Sequence, residues 1–256
     1  MKKRNQVTIG LIAAIVLLAC ACPVSGLPFG GEEQPTPGLP LLPINTEAVP
    51  ATEAVAPTAE AQAPVGTVVY SDDFSATSAE METYTGDGGS AGTENGVYVV
   101  RSTADLWQWG KSNTQFENTV VEADVTMIAG PANNNAGFGI VCRLSTREDD
   151  SIDGYMLAIS GDGYYTIRSI ASSSMTALVD WEFSDVINQG TNATNRLRAT
   201  CNGSELKLEV NGELLASASA VADGSPSGSI AFAAISFETD QPYAEAHFDN
   251  LVISQP

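Results

Sequence analysis

From residue 67 onward, apolar and polar residues alternate in short runs broken by Gly, Asn and Asp about every eight to twelve positions. A period of two places successive side chains on opposite faces of an extended chain, so these runs predict strands. Twelve are expected, over 67–74, 96–102, 119–128, 136–146, 155–160, 164–170, 175–183, 195–201, 205–210, 213–218, 229–238 and 243–254. No stretch carries a convincing helical period. Many short strands with regular turn signals predict an all-β sandwich or barrel.

The turns and the side-chain phase sharpen this. Asn211-Gly212 is the strongest hairpin signal, because both central residues of a type I′ turn need positive φ. Gly161-Asp162-Gly163 and Asn202-Gly203 mark two more hairpins, so the sheets are expected to be antiparallel. In 205–210, Leu206, Leu208 and Val210 point one way, and Glu205, Lys207 and Glu209 the other. The same phase puts Leu197, Ala199 and Cys201 inside with Arg196, Arg198 and Thr200 outside, and puts Phe138, Ile140, Cys142 and Leu144 inside.

The first 66 residues read differently. Lys2, Lys3 and Arg4 precede an uncharged run from Val7 to Ala19, the basic and apolar parts of an export signal, too short for a bilayer span of about 20 residues. Its end, Leu17-Leu18-Ala19-Cys20, resembles the lipobox of bacterial lipoproteins, in which cleavage before the cysteine leaves a thiol that carries diacylglycerol; Cys22 is a competing site. That resemblance implies a signal peptide over 1–19, lipidation at Cys20 and a lipid-anchored, extracytoplasmic place in the cell envelope. Residues 23–66 hold nine of the thirteen prolines, no Lys or Arg, and one aromatic, Phe29. Such a segment buries too little apolar surface to offset its ordering entropy, so 20–66 is expected to be a disordered linker ahead of a domain over 67–256. At about 3.1 Å per residue it would hold the domain up to roughly 100 Å from a membrane. Export also brings Cys142 and Cys201, both in core phase, to a compartment where thiols oxidise, and a disulfide between them is expected.

Charge removes some partners. The chain has 31 acidic and 11 basic residues, a net charge of −20, and loss of the three basic residues at positions 2–4 takes it to −23. Phosphate binding needs clustered Lys and Arg, so nucleic acid is not an expected partner, and anionic lipid headgroups are disfavoured too. Excess acid serves to keep an exported domain soluble and monomeric.

The order and spacing of several motifs then resemble the concanavalin A-like superfamily, in its laminin-G-like and glucanase-like bacterial branches. The match runs from Phe116 through the strand containing Glu122, the turn at 130–135, Gly137-Phe138-Gly139-Ile140-Val141-Cys142-Arg143 and Gly154-Tyr155. It continues with Asn195-Arg196-Leu197-Arg198, Val210-Asn211-Gly212 and Phe248-Asp249-Asn250-Leu251-Val252. The resemblance implies a two-sheet antiparallel jelly-roll sandwich whose concave outer face binds carbohydrate in many members, so a polysaccharide or cell-wall glycan is the expected ligand. Glucanases of this fold carry Glu-x-Asp-x-Glu or Glu-x-Asp-x-x-Glu on one strand, because two carboxylates must flank one glycosidic bond. This chain reads Glu122-Ala123-Asp124-Val125-Thr126-Met127, without the acid. The 3-keto-disaccharide hydrolases, also similar here, show Gly-Tyr-Glu where this chain has Gly154-Tyr155-Met156. His247, the single histidine, has no serine, cysteine or metal-site pattern near it. No catalytic residues are therefore assigned; a binding module is expected, with a glycoside hydrolase of either type as the alternative.

Candidate ligand residues are Trp107 and Trp109, which share one face of a short extended run, with Tyr155 and, further off, Tyr164 and Trp181. Aromatics also dominate sandwich interiors, so both roles stay open for them. Glu122, Asp124 and Arg143 could floor a ligand groove; alternatively, if Ala123 faces Cys142, Glu122 faces Arg143 in a cross-strand ion pair. In related jelly rolls the terminal strands pair and can share a structural Ca²⁺, which here would bring Asp73 near Asp249, although no carboxylate run follows the EF-hand spacing.

Overall fold

Fifteen strands and no helix make up the described residues, 66–221 and 224–256, of the computed structural model. The signal segment, Cys20 and the linker as far as residue 65 lie outside the described residues. The larger sheet runs in the order β13 (Glu213–Ser219), β12 (Glu205–Val210), β11 (Thr194–Asn202), β6 (Thr119–Ala129), β15 (Ala244–Gln255), β4 (Val97–Ser102), β3 (Gly89–Glu94) and β2 (Tyr84–Gly86). Its ninth strand, β1 (Thr67–Asp72), pairs with the end of β15. The smaller sheet has six, in the order β10 (Ser174–Phe183), β9 (Tyr164–Ala171), β8 (Ile152–Ser160), β7 (Ala136–Thr146), β14 (Gly228–Ser236) and β5 (Gln108–Phe116). The pairings are antiparallel.

Local chemistry accounts for the connections. Asn211 and Gly212 have φ of 51° and 89°, as a type I′ hairpin between β12 and β13 requires. Of the other two expected hairpins, 202–204 joins β11 to β12 in the larger sheet, and 161–163 joins β8 to β9 in the smaller. Strands β2, β3 and β5 were not expected. Gly-Ser-Ala-Gly-Thr-Glu and Gln-Trp-Gly-Lys-Ser-Asn-Thr-Gln-Phe have too few apolar residues to show alternation, and pairing to richer neighbours makes them strands.

The interior lies between the sheets, where the predicted phase holds except at Leu144, which the irregularity at Arg143 turns into an apolar cluster on the outer face. Leu197, Ala199, Cys201, Leu206, Leu208 and Val210 from the larger sheet meet Phe138, Ile140, Cys142, Leu157 and Phe232 from the smaller. Cys142 and Cys201 form a disulfide from β7 to β11, with Cα atoms 6.6 Å apart. One expected contact is corrected. β6 and β7 do not pair but belong to different sheets, because 130–135 crosses from one layer to the other, and Glu122 lies opposite Arg198 on β11 rather than Arg143.

The smaller sheet departs from the usual plan of one dry and one wet face. Every residue of β14, and positions 136–144 of β7, are buried. Most inward positions are large (Phe138, Ile140, Ile230, Phe232; Ala136 and Ala234 are the small ones), whereas most outward ones are small: Gly137, Gly139, Val141, Ala231 and Ala233, with Leu144 and Ile235 the larger exceptions. Val141, Leu144, Met156, Ala158, Ile170, Ala231 and Ala233 form a second apolar cluster, separate from the interior, with Trp107, Trp109 and Trp181 packed against it.

The disulfide closes a loop spanning 59 residues, for which the chain-entropy model gives about 4 kcal/mol of stabilisation. Non-reducing peptide mapping should recover Cys142 joined to Cys201, and a Cys142→Ser Cys201→Ser chain should melt well below the oxidised protein. Two free thiols in the folded, air-equilibrated protein would contradict the pairing.

Candidate functional site

The pairing registers lay out the outer face of the six-stranded sheet. Trp109 stands beside Ala233, which stands beside Gly139, then Ala158, then Thr166. Partners in antiparallel strands share a face, so this row runs from β5 to β9 with only small side chains after the tryptophan. Small residues leave space for rings to lie down. Trp107, at the β5 edge, and Trp181, on β10 at the opposite edge, both pack edge-on against Phe237, at 5.9 and 5.6 Å between ring centroids. A Cβ on Gly137 would come within 2.8 Å of Trp107 Cη2 and 3.0 Å of the Phe237 ring, so glycine is what lets both rings settle on the sheet. The two edges of a six-stranded sheet, five strand spacings apart, both reach one phenylalanine and so enclose a concave face.

Beside this arc lies a cavity of about 330 Å³ lined by Asn135, Ser160, Asp162, Tyr164, Trp181 and Phe237. Asn135 Nδ2 donates to Glu238 Oε1 at 2.8 Å, and Asn133 Nδ2 donates to the same oxygen at 2.7 Å. These bonds hold the Glu238 carboxyl below the usual carboxylate range. Tyr164, 39% exposed, packs edge-on against Phe183, 56% exposed, and carries the aromatic surface past the cavity mouth. Rings with amide, hydroxyl and carboxylate groups at their rim are the chemistry that grips a polyhydroxylated ring.

The residues singled out from the sequence fall in three places and cannot form one site. Trp107 and Trp109 are on the concave face, outside the interior and partly exposed. Glu122 and Asp124 lie on the outer face of the other sheet. There Glu122 is 2% exposed, with Arg196 at 3.4 Å and Arg198 at 3.3 Å, and Asp124 accepts from Arg196 and Asn250. Thr126, where a glucanase of one type has its acid, shares a hydrogen bond with Thr194. Tyr155 and Arg143 are corrected as ligand contacts. Tyr155 is 1% exposed in the interior, and Arg143, 5% exposed, donates to the carbonyls of Glu117 and Gly203 at 2.8 and 2.9 Å. A positive φ of 54° at a β7 irregularity turns Arg143 from the sheet face into the end of the sandwich, beside the disulfide. Asn135, Asp162, Ser160 and Phe237 were missed. Asn135 and Asp162 sit in turns, where alternation assigns no face, whereas Ser160 and Phe237 fall at the ends of the predicted runs 155–160 and 229–238 and no ligand role was read for them.

A larger cavity, about 710 Å³, lies over the nine-stranded sheet and is lined by Asp72, Asp73, Asp124, Arg196 and Asn250 among others, with no aromatic residue. β1 and β15 pair as expected of terminal strands, and Asp249 is raised above its ordinary value by burial and then by the charges of Asp124 and Asp73. Among the described residues, no group of three or more His, Cys, Asp or Glu is placed to hold a metal ion. The smaller cavity is the better ligand candidate because it alone offers rings.

No protein-family model and no curated protein matches the chain. Solved structures do. A Bacillus licheniformis β-glucanase superposes with a TM-score of 0.54 at 11% identity, covering 75% of this chain and 100% of that one. A Bacillus subtilis protein of unknown function with a galectin-like fold gives 0.53 at 12%, covering 74% and 96%. LamAcat from Zobellia galactanivorans gives 0.51 at 10%, covering 74% and 98%. The likeness is one of fold.

Charge on the nine-stranded face is held in networks. Glu245 takes a hydrogen bond from Arg101 Nε at 2.9 Å and another from the Tyr243 hydroxyl, and its Oε1 lies 2.6 Å from His247 Nε2. Burial pushes Glu245 up, but the bonds from Arg101, Tyr243 and His247 outweigh it and hold the carboxyl at about 2, against an ordinary 4.5. A depressed carboxyl stabilises the fold above its unfolded value, and that contribution is lost as pH falls from about 4.5 towards about 2. The amount is on the order of 3 kcal/mol. Arg101→Gln should therefore move the acid-unfolding midpoint, followed by circular dichroism, to higher pH. An unchanged midpoint would mean that Arg101 does not hold the pair.

Proposed function

We propose that this chain is a lipid-anchored, extracytoplasmic carbohydrate-binding module that retains a polysaccharide or cell-wall glycan without cleaving it. The observation that carries the reading is the cavity where Trp181, Tyr164 and Phe237 meet Asn135, Ser160 and Asp162. Sugar C–H faces stack on such rings, and hydroxyls take hydrogen bonds from such rims. The floor beneath the rings is sealed, with Ala158, Ala231 and Ala233 at most 1% exposed, so the ligand contacts come from the rings themselves.

Binding without cleavage is favoured because the cavity lining offers one carboxylate, Asp162, where glycoside hydrolysis ordinarily uses two. Nearby Glu238, held ionised by Asn133 and Asn135, is a poor proton donor near neutral pH. Glu122 and Asp124 are on the other sheet and neutralised by arginine. Anchoring rests on the Leu17-Leu18-Ala19-Cys20 run.

The full chain should be retained on immobilised β-glucan or cell-wall glycan, with or without calcium, and release no new reducing ends over long incubation. Trp181→Ala should weaken retention by about tenfold, the equivalent of about 1.4 kcal/mol of stacking. It should also lower the melting temperature modestly, since the ring packs on the second apolar cluster. Steady release of reducing sugar that disappears in Asp162→Asn or Glu122→Gln would establish the hydrolase alternative instead.

Anchoring has its own test. Cys20→Ser should leave the detergent phase for the aqueous phase, whereas Cys22→Ser should stay with detergent. Retention of Cys20→Ser in detergent would rule out lipidation there.

A further inference from the structure

Across the described residues the basic side chains are few, and their placement is uneven. Of the eight that follow residue 4, five hold carboxylates at 2.6 to 3.3 Å: Arg101, Arg147, Arg196, Arg198 and Lys207. Arg143 donates to backbone carbonyls. The remaining two, Lys111 and Arg168, both stand on the concave aromatic face. The register puts Lys111 beside Ala231, then Val141, Met156 and Arg168, in the row next to the one that begins with Trp109. Lys111 makes no ion pair among the described residues. Among the described residues Arg168 reaches Asp180, at 3.9 Å, a carboxylate that is 82% exposed and accepts a hydrogen bond from the Trp181 backbone N–H at 2.9 Å. None of the positions that share this face from β5 to β9 carries Asp or Glu, in a chain with 31 acidic residues.

We propose that the aromatic face selects anionic glycans, with the carboxylate or sulfate of bound sugar residues engaged by Arg168, opposite Ala177 of β10, and by Lys111 next to Trp109. This rests on the carbohydrate-binding reading above and names the class of glycan. Four strand spacings separate the two cations, roughly 19 Å on a flat sheet, so they contact different residues of one chain rather than a single sugar. The tryptophans supply stacking that any pyranose accepts; the cations supply the discrimination. Strong net negative charge repels a polyanion at long range, and the two cations stand where the outward strand positions, from β5 to β9, carry no carboxylate, with Asp162 and Asp180 confined to the β10 side.

The test uses the full chain and four probes of matched length: polygalacturonate for carboxylate, dextran sulfate for sulfate, and laminarin and dextran as neutral glucans. At least one polyanion should bind about tenfold more tightly than the neutral glucans, with retention falling as salt rises from about 50 to about 500 mM, where screening shortens the reach of charge. The carboxylate and sulfate arms decide which anion is preferred. Lys111→Gln Arg168→Gln should remove the preference and leave neutral binding and the melting temperature unchanged. Neutral glucans bound as tightly as polyanions, or a polyanion preference that survives both the double substitution and high salt, would overturn the anion assignment and leave the carbohydrate-binding reading standing. Retention of none of the four would overturn both.

Discussion

The constraint on which the rest of this domain depends is that its six-stranded sheet is apolar on both sides. In most antiparallel sheets alternation separates dry from wet. Here, along β7 and β14, it separates large from small. Phe138, Ile140, Ile230 and Phe232 fill the sandwich interior, while glycine, alanine and valine turn outward. An outward face of small residues cannot cover its own backbone. It is covered by tryptophans that arrive from both edges, with Phe237 between them. The proposed recognition surface and the second core are therefore the same set of atoms.

The opposite sheet solves burial differently. Its outward positions are charged, and pairing keeps them tolerable: Glu122 sits between two arginines that reach from β11, and Glu245 binds Arg101 from β4. A carboxylate so enclosed is costly to strip of its partners and has no access to a substrate. That is why Glu-x-Asp on β6, placed on a strand as in glucanases, is spent on holding neighbouring strands in register. The larger cavity over this sheet, lined by polar residues with Leu251 and Val252, has no ring against which a sugar could stack.

How much of this was legible follows from what alternation encodes. Period two gives a strand and its two phases, so β7 and β12 were delimited to the residue, and the inward phase of Cys142 and Cys201 led to the disulfide. Alternation does not say which strands pair. Glu122 was set against Arg143 because 130–135 resembles a hairpin turn, whereas it is a crossing between layers. It also fails at irregularities: Arg143 was read as a surface group, and its own left-handed conformation in β7 sends it inward, while Tyr155, for which both roles stayed open, is buried by the phase of β8. Trp107 and Trp109 were seen to share a face, but Asn135 and Asp162 lie in turns, and Phe237, inside the predicted run 229–238, falls just past the end of β14. Only the folded registers bring them to Trp181.

Placing stability and recognition in one layer has a consequence for how the face can change. A tryptophan that stacks on a sugar at an open surface is replaceable at little cost to the fold. Trp107, Trp109 and Trp181 are different, because each shields outward alanines and glycines of β7, β8 and β14 from water. Removing one exposes apolar surface at about 25 cal/mol per Å², so drift of ligand preference by loss of a ring is opposed by the fold itself. Preference is freer to move through Lys111, Arg168, Asn135 and Asp162, which stand at the margins of the rings and whose side chains no core contact requires. Under the proposed function, the rings hold a flat, polyhydroxylated ligand and the polar rim sets which one.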